Sequence, residues 1–253
     1  MFKNAIVRRP CREMVKGIST AGLGQPNYDK ALVQHEHYID TLKLCGLEVH
    51  VLNADEKYPD STFIEDVALC TPHCAIVTRP GAASRRGETE GMVETLRPYY
   101  ERIEKIESPG TLDAGDVMMV GSHFYIGISE RTNQQGADQL ISILEAHGMT
   151  GSKVPLFEML HLKSGLSYLE NNTMLVSGEF IGKHEFERFR KIEIDKEEGY
   201  AANSLWVNGT VIVPKGFTKT KSKIEAAGYR TIEIDVSEFQ KLDGGLSCLS
   251  LRF

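Results

Sequence analysis

Short apolar runs and stretches of helical spacing follow one another along this chain in a recurring arrangement. Two short apolar strands joined by a turn precede an amphipathic helix, and a further strand follows it. Val67–Cys70 and Cys74–Thr78 flank the turn Thr71-Pro72-His73, with a helix predicted over Arg85–Tyr100 and a strand over Arg102–Ile106. Val117–Val120 and His123–Gly127 turn at Gly121-Ser122, then a helix over Gln134–His147 ends at Gly148 before a strand at Lys153–Phe157. Ser167–Glu170 and Thr173–Ser177 turn at Asn171-Asn172, leading to a short helix over Lys183–Phe189 and a strand over Lys191–Ile194. Leu205–Val207 and Thr210–Val213 turn at Asn208-Gly209, the strongest hairpin dipeptide in the chain. A helix over Thr218–Ala227 and a strand over Arg230–Ile234 complete that copy.

The pieces outside these four copies supply a fifth. Asn4–Arg8 reads as a strand, Tyr28–Cys45 as a helix with apolar residues at Ala31, Val33, Tyr38, Ile39 and Leu42, and Leu47–Leu52 as the strand after it. At the other end, Leu246–Phe253 alternates like a strand and is free to pair with Asn4–Arg8. A repeat of about 40–50 residues that starts at one terminus and finishes at the other closes a ring. The expectation is one α/β domain spanning residues 1–253, with five pseudo-symmetric units and the ring closed by the two termini.

Composition alters this picture little. Hydrophobic residues make up 41% and charged residues 25% of the 253 positions, ordinary values for a soluble globular protein. No apolar run is long enough to span a bilayer, and the N-terminal stretch carries no signal-like apolar core, so a cytoplasmic location is expected. The net charge of −6 offers no electrostatic case for nucleic acid. Five cysteines, an odd number, argue against a disulfide framework. Cys70 and Cys74 around His73 have half the spacing of a zinc site, but no second ligand pair follows, so no metal is expected. Gly22-Leu23-Gly24 does not follow a strand and is not a dinucleotide fingerprint.

The repeat matters most for what it aligns. Residues entering the five hairpins occupy equivalent places around the axis, and they are Glu65 and Asp66, Asp113, His161, Asn203 and Cys248. A thiol, an imidazole and three carboxylates are the parts of nucleophilic catalysis on a cationic substrate. Each has a plainer explanation alone, since free cysteines usually pack in cores and charges at strand entrances are usually solvated. Recurrence at matched positions favours the chemical reading. Arg85 and Arg131 follow the second strand of their hairpins, and two planar forks facing one site suit a carboxylate. With Asp60 for an ammonium, the set describes a site for arginine and its relatives.

Longer stretches carry a family resemblance over essentially the whole chain. PDSTFIEDVAL (59–69), CAIVTRPGAASRRGETE (74–90), DAGDVMMVGSHFYIG (113–127), RTNQQGA (131–137), LHLKSGLSYLE (160–170), YAAN (200–203) and DGGLSCLSLRF (243–253) are its segments. The chain closely resembles bacterial dimethylarginine dimethylaminohydrolases of the guanidine-modifying, or pentein, superfamily. The resemblance implies a five-bladed α/β propeller, hydrolysis of methylated arginines to citrulline, and no cofactor. It assigns Cys248 as nucleophile and His161 as general acid/base, with Asp66 and Asp113 holding the guanidinium and Glu65 supporting the site. Arg85 and Arg131 would bind the α-carboxylate and Asp60 the α-amine, while Ile18 lies in a loop closing over the substrate and Phe63 and the Leu242 backbone line the pocket. Asp113 stands where some bacterial relatives carry Glu. The small-molecule partner would be a methylated arginine, and a homodimer is compatible with the resemblance. The alternatives are an arginine deiminase, a hydrolase of another substituted guanidine or ureido compound, and a non-enzymatic pentein that binds ribosomes.

Overall fold

The computed structural model describes residues 1–253. Fifteen strands form five separate three-stranded sheets, each with the same connectivity. In the first, β1 (Asn4–Arg8) lies between β2 (Glu48–Leu52), to which it is parallel, and β15 (Leu251–Arg252), to which it is antiparallel. The others are β3 (Ala68–Cys70), β4 (Ala75–Val77) and β5 (Ile103–Lys105); β6 (Val117–Val120), β7 (His123–Ile128) and β8 (Thr150–Pro155); β9 (Leu166–Tyr168), β10 (Thr173–Val176) and β11 (Arg190–Glu193); and β12 (Leu205–Val207), β13 (Thr210–Pro214) and β14 (Arg230–Ile234). In these four sheets the middle strand pairs antiparallel with the strand before it and parallel with the one after, and in the first sheet the last strand of the chain takes the antiparallel place. This is a five-bladed α/β propeller, as the repeat predicts.

The sequence pattern explains the layering. Middle strands such as Thr173–Val176 and Thr210–Pro214 are buried along their whole length, while the last strand of each blade is partly exposed. A strand buried on both faces needs the unbroken apolar runs TMLV and TVIVP carry. Five apolar clusters fill the five joints between neighbouring blades. Ile6 and Leu251 pack with Ala75 and Val77, and Ile76 with Phe124 and Ile126. Tyr125 meets Met174 and Val176, Leu175 meets Val211 and Val213, and Val207 and Ile212 meet Ala5 and Val7. The first strands of the blades surround the axis and line a cavity of about 150 Å³ at one end of it.

Hairpin turns follow their dipeptides. Asn208 and Gly209 both have positive φ (48° and 91°), the pairing a tight two-residue turn requires. Three expectations change. The helix predicted over Arg85–Tyr100 is a 3-10 segment at Ala83–Thr89 and a short α-helix at Met92–Leu96, separated by Gly91 at φ 76° and ending before Pro98. Lys183–Phe189 contains only a 3-10 turn at His184–Phe186. The strand predicted from Leu246 is shorter: Ser247–Leu249 forms a 3-10 turn, and only Leu251–Arg252 pairs with β1. Leu246 and Leu249 are both fully buried, and their spacing of three puts them on one face of a helical turn but on opposite faces of a strand.

Candidate active site

Each blade enters its hairpin through a short helical turn, and these turns carry or adjoin the candidate residues. Glu65 and Asp66 lie in Ile64–Val67, Asp113 precedes Ala114–Asp116, His161 precedes Leu162–Gly165, Asn203 ends Lys196–Ala202, and Cys248 is central in Ser247–Leu249. The turns meet across the axis between that cavity, which Glu65, Ala114, Lys163, Asn203 and Ser247 line, and a second opening lined by Asp66, His161 and Cys248. Two glycines before Cys248 make close approach possible. A Cβ on Gly244 would stand 2.1 Å from the Phe63 ring, and one on Gly245 2.4 Å from the Asn203 amide.

A cleft of about 50 Å³ opens there, lined by Ile18, Asp60, Phe63, Asp66, Arg85, Arg131, His161, Leu242 and Cys248. The sequence singles out all nine. Thr20, Leu160, Asp243 and Gly244 also line it and were missed as site residues. Asp243 beside Gly244 reads as a turn residue, and Thr20 and Leu160 have no residue type or spacing that announces chemistry. Asp113 and Glu65 stand behind the cleft. Asp113 is fully buried, accepts from Gly81 N at 2.8 Å and lies 3.1 Å from His161 Nε2. Glu65 faces the axial cavity, paired with Lys163 Nζ at 2.7 Å and Arg252 Nη2 at 3.1 Å, and it accepts from Ser247 Oγ at 2.7 Å.

The two arginines differ in freedom. Arg85 is buried, with Nη1 2.6 Å from Asp66 Oδ2, while Nε and Nη2 donate to Glu88 and Nη2 also donates to the Phe63 carbonyl. The Arg131 side chain makes no hydrogen bond within the protein and is only partly buried. Asp66 is held on its other oxygen by Gly115 N at 3.0 Å. Asp60 Oδ1 accepts the Ile18 N–H at 3.0 Å, so the loop over the cleft is tied to the carboxylate beneath it.

Charge sets the resting protonation. Burial pushes the Cys248 thiol up, Glu65 and Asp66 push it further, and it reaches about 12. Burial pulls His161 down, but Asp66, Asp116 and Asp113 outweigh it and raise the imidazole to about 9. At neutral pH the ligand-free site therefore holds a neutral thiol and an imidazolium. Burial also raises Asp60, opposed by Arg85, the Ile18 N–H and Arg131. Single ligating atoms of Asp66, Asp113 and His161 lie within 4.8 Å of one another, a spacing a metal ion would also accept. The carboxylates are already engaged with Arg85, two backbone N–H groups and the imidazole, so the set acts as a hydrogen-bonded cradle. Such a cleft suits a substrate that carries a cation to the thiol and a carboxylate to the free arginine.

The family model described as "N,N dimethylarginine dimethylhydrolase, eukaryotic" matches residues 23–185. The chain is 56% identical to the N(G),N(G)-dimethylarginine dimethylaminohydrolase of Pseudomonas aeruginosa, with 100% of both chains covered. It is 32% identical, over 99% of its length and 96% of the relative's, to the protein of that name from Streptomyces coelicolor. Among solved structures it matches a mutant of the Pseudomonas protein, cysteine replaced by serine, complexed with citrulline, at TM-score 0.99, 56% identity and full coverage of both chains. The N-terminal domain of ArgZ, a cyanobacterial arginine dihydrolase, shares the fold at 18% identity and TM-score 0.90, over 100% of this chain and 97% of that one.

Proposed function

This chain belongs to the dimethylarginine dimethylaminohydrolase family, and from that premise we propose that it hydrolyses asymmetric dimethylarginine, and monomethylarginine, to citrulline and dimethylamine or methylamine. The observation that carries this reading is the single cleft holding Cys248, His161 and Asp66 at one end and Asp60 and the unpaired Arg131 at the other. Asp66 holds the guanidinium through unmethylated nitrogens, and Asp113 acts through His161. Arg131 takes the α-carboxylate with the remaining N–H of Arg85, and Asp60 takes the α-amine. The substrate's own positive charge offsets the carboxylates that hold the thiol neutral, so the Cys248 proton leaves to solvent as the complex forms. The thiolate attacks the guanidinium carbon, a C–S bond forms, and the C–N bond to the methylated nitrogen breaks as the His161 imidazolium protonates the departing amine. An S-alkylthiouronium remains. Water then gives one proton to neutral His161 as its oxygen attacks the same carbon, and the C–S bond breaks as the added hydroxyl loses its proton to solvent, which releases citrulline and thiolate. No cofactor enters these steps. The reading includes a cytoplasmic location and is compatible with a homodimer, which light scattering on the purified protein tests.

Asymmetric dimethylarginine has no N–H on its methylated nitrogen, whereas arginine would bury two extra donors against surface that offers them nothing. Unsatisfied donors cost on the order of 1–3 kcal/mol, a preference of roughly tenfold or more in kcat/KM for the methylated substrate. Steady-state kinetics with product identification on dimethylarginine, monomethylarginine and arginine test it. Equal or faster turnover of arginine, with ammonia as product, would replace this reading by a deiminase.

A further inference from the structure

Asp116 lies outside the cleft and touches none of the atoms that react, yet it joins both ends of the site. It is fully buried in the turn Ala114–Asp116, and no lysine or arginine pairs with it. Its Oδ1 accepts the N–H of Leu162, the residue after His161, at 2.9 Å. Its Oδ2 accepts the Ser129 hydroxyl at 2.7 Å. That same Ser129 oxygen accepts the backbone N–H of Arg131 at 3.0 Å and of Thr132 at 3.2 Å. Room for the carboxylate comes from Gly127, where a Cβ would stand 2.9 Å from Asp116 Oδ1.

A buried carboxylate without an ion-pair partner is costly, so its chemistry requires a reason. Hydrogen-bond counting supplies one. The Ser129 oxygen already accepts two N–H groups and has no lone pair left, so its hydrogen must be donated. Leu162 N–H must be donated as well. The residue between them must accept on both sides, which a carboxylate does and a carboxamide does not. The charge is also placed for use: it adds to Asp66 and Asp113 in favouring the imidazolium of His161.

We propose that Asp116 is a positioning residue that fixes His161 and Arg131 relative to each other from beneath the cleft. This rests on the reading of His161 as acid/base and Arg131 as the carboxylate's partner. Ser129→Ala cuts only the arm to Arg131 and leaves the charge. It is expected to raise KM for dimethylarginine about fivefold, the worth of one hydrogen bond, with kcat within about twofold. The KM effect should vanish for an N,N-dimethyl-N′-alkylguanidine lacking the α-carboxylate, and the His161 ring should titrate as in the unaltered protein. Asp116→Asn should raise KM at least as much, lower kcat, and shift the His161 ring titration, followed by NMR, downward by about one pH unit. Asp113 and Asp66 remain facing that ring in both variants, so the shift isolates the charge removed. An unmoved titration with unchanged kcat in folded Asp116→Asn overturns the proposal. Should Asp116→Asn fail to fold, Ser129→Ala decides alone: an unchanged KM, or a KM raised equally for the carboxylate-free guanidine, overturns it. Arg131→Ala separates the premise from the proposal. If that variant keeps its KM, the substrate reading falls and this proposal with it; if its KM rises but that of Ser129→Ala does not, only the tie through Asp116 falls.

Discussion

Side chains that the proposed reaction uses stand out by type, whereas the partners that set their protonation come from anywhere in the chain. Cys248 was legible because a thiol beside a double glycine enters a hairpin at the place where other blades present His161 and Asp113. Its neutral resting state was not legible, because it depends on Glu65 and Asp66, about 180 residues away, together with burial. Nor was the capture of most Arg85 donors by Asp66, Glu88 and the Phe63 carbonyl. The protonation state makes a direct prediction. A thiol held at about 12 has less thiolate at every neutral pH than an ordinary cysteine near 8.5. Alkylation of Cys248 by a haloacetamide in the ligand-free protein should therefore keep accelerating with pH beyond the range where ordinary thiols level off. Mass spectrometry locates the label, and a plateau below about pH 8 would contradict the protonation assigned to this site. Cys248→Ser should abolish turnover and leave the melting temperature nearly unchanged, since a hydroxyl occupies nearly the same space as the thiol and Sγ takes one weak contact, from Gly245 N at 3.4 Å.

At the scale of elements, the sequence showed the strands and hairpins because apolar runs between turn dipeptides are strong local signals. It missed the helical turns that open each hairpin. Segments such as Ile64–Val67 and Ser247–Leu249 are too short to show a helical period, and their form follows from the contacts that bury Glu65, Asp66 and Ser247. The segment from Gly17 to Ala21 illustrates the same limit. It is anchored by Ile18 N to Asp60 Oδ1, by Ser19 Oγ to the Lys241 carbonyl at 2.5 Å, and by Thr20 N to Asp243 Oδ2 at 2.5 Å. Its fit requires a glycine at 17, where a Cβ would lie 2.7 Å from Asp60 Oδ1 and 3.2 Å from the Leu242 side chain. Gly17→Ala should push the segment away from Asp60 and lose at least one charge-assisted hydrogen bond. A KM increase of about tenfold with a smaller change in kcat is expected, from a bond worth about 1.5–3 kcal/mol. Unchanged KM in a folded Gly17→Ala protein would show that the segment takes no part in holding the substrate.

For the molecule as a whole, the ring is the device that lets residues from 18 to 248 share one cleft, and the ring depends on its closing contact. Residues 251–253 make that contact. Lys3 and Asn4 both donate to the Phe253 carbonyl, at 2.8 and 2.7 Å, and Phe253 N donates to the Asn4 carbonyl at 3.0 Å. Its ring packs edge-on against Tyr99 at 5.0 Å and tilted against Tyr100 at 5.4 Å, while Leu251 joins the core between the first two blades. Arg252 bonds the Ser247 carbonyl at 3.0 Å and Glu65 at 3.1 Å, so the closing strand also braces the turn that carries Cys248. Removing residues 251–253 would expose one edge of β1, empty part of a joint and leave buried Glu65 with one cation fewer. Loss of cooperative thermal unfolding, and of activity with it, is the expected result. Phe253→Ala removes only the aromatic packing of a partly buried side chain and leaves all three backbone bonds. It should cost about 1–3 kcal/mol, a fall of several degrees in melting temperature at this size, with kcat within about twofold. Calorimetry on the two proteins separates closure from packing. A truncated chain that melts cooperatively at the temperature of the full one would mean that four blades hold the fifth in place without the closing strand.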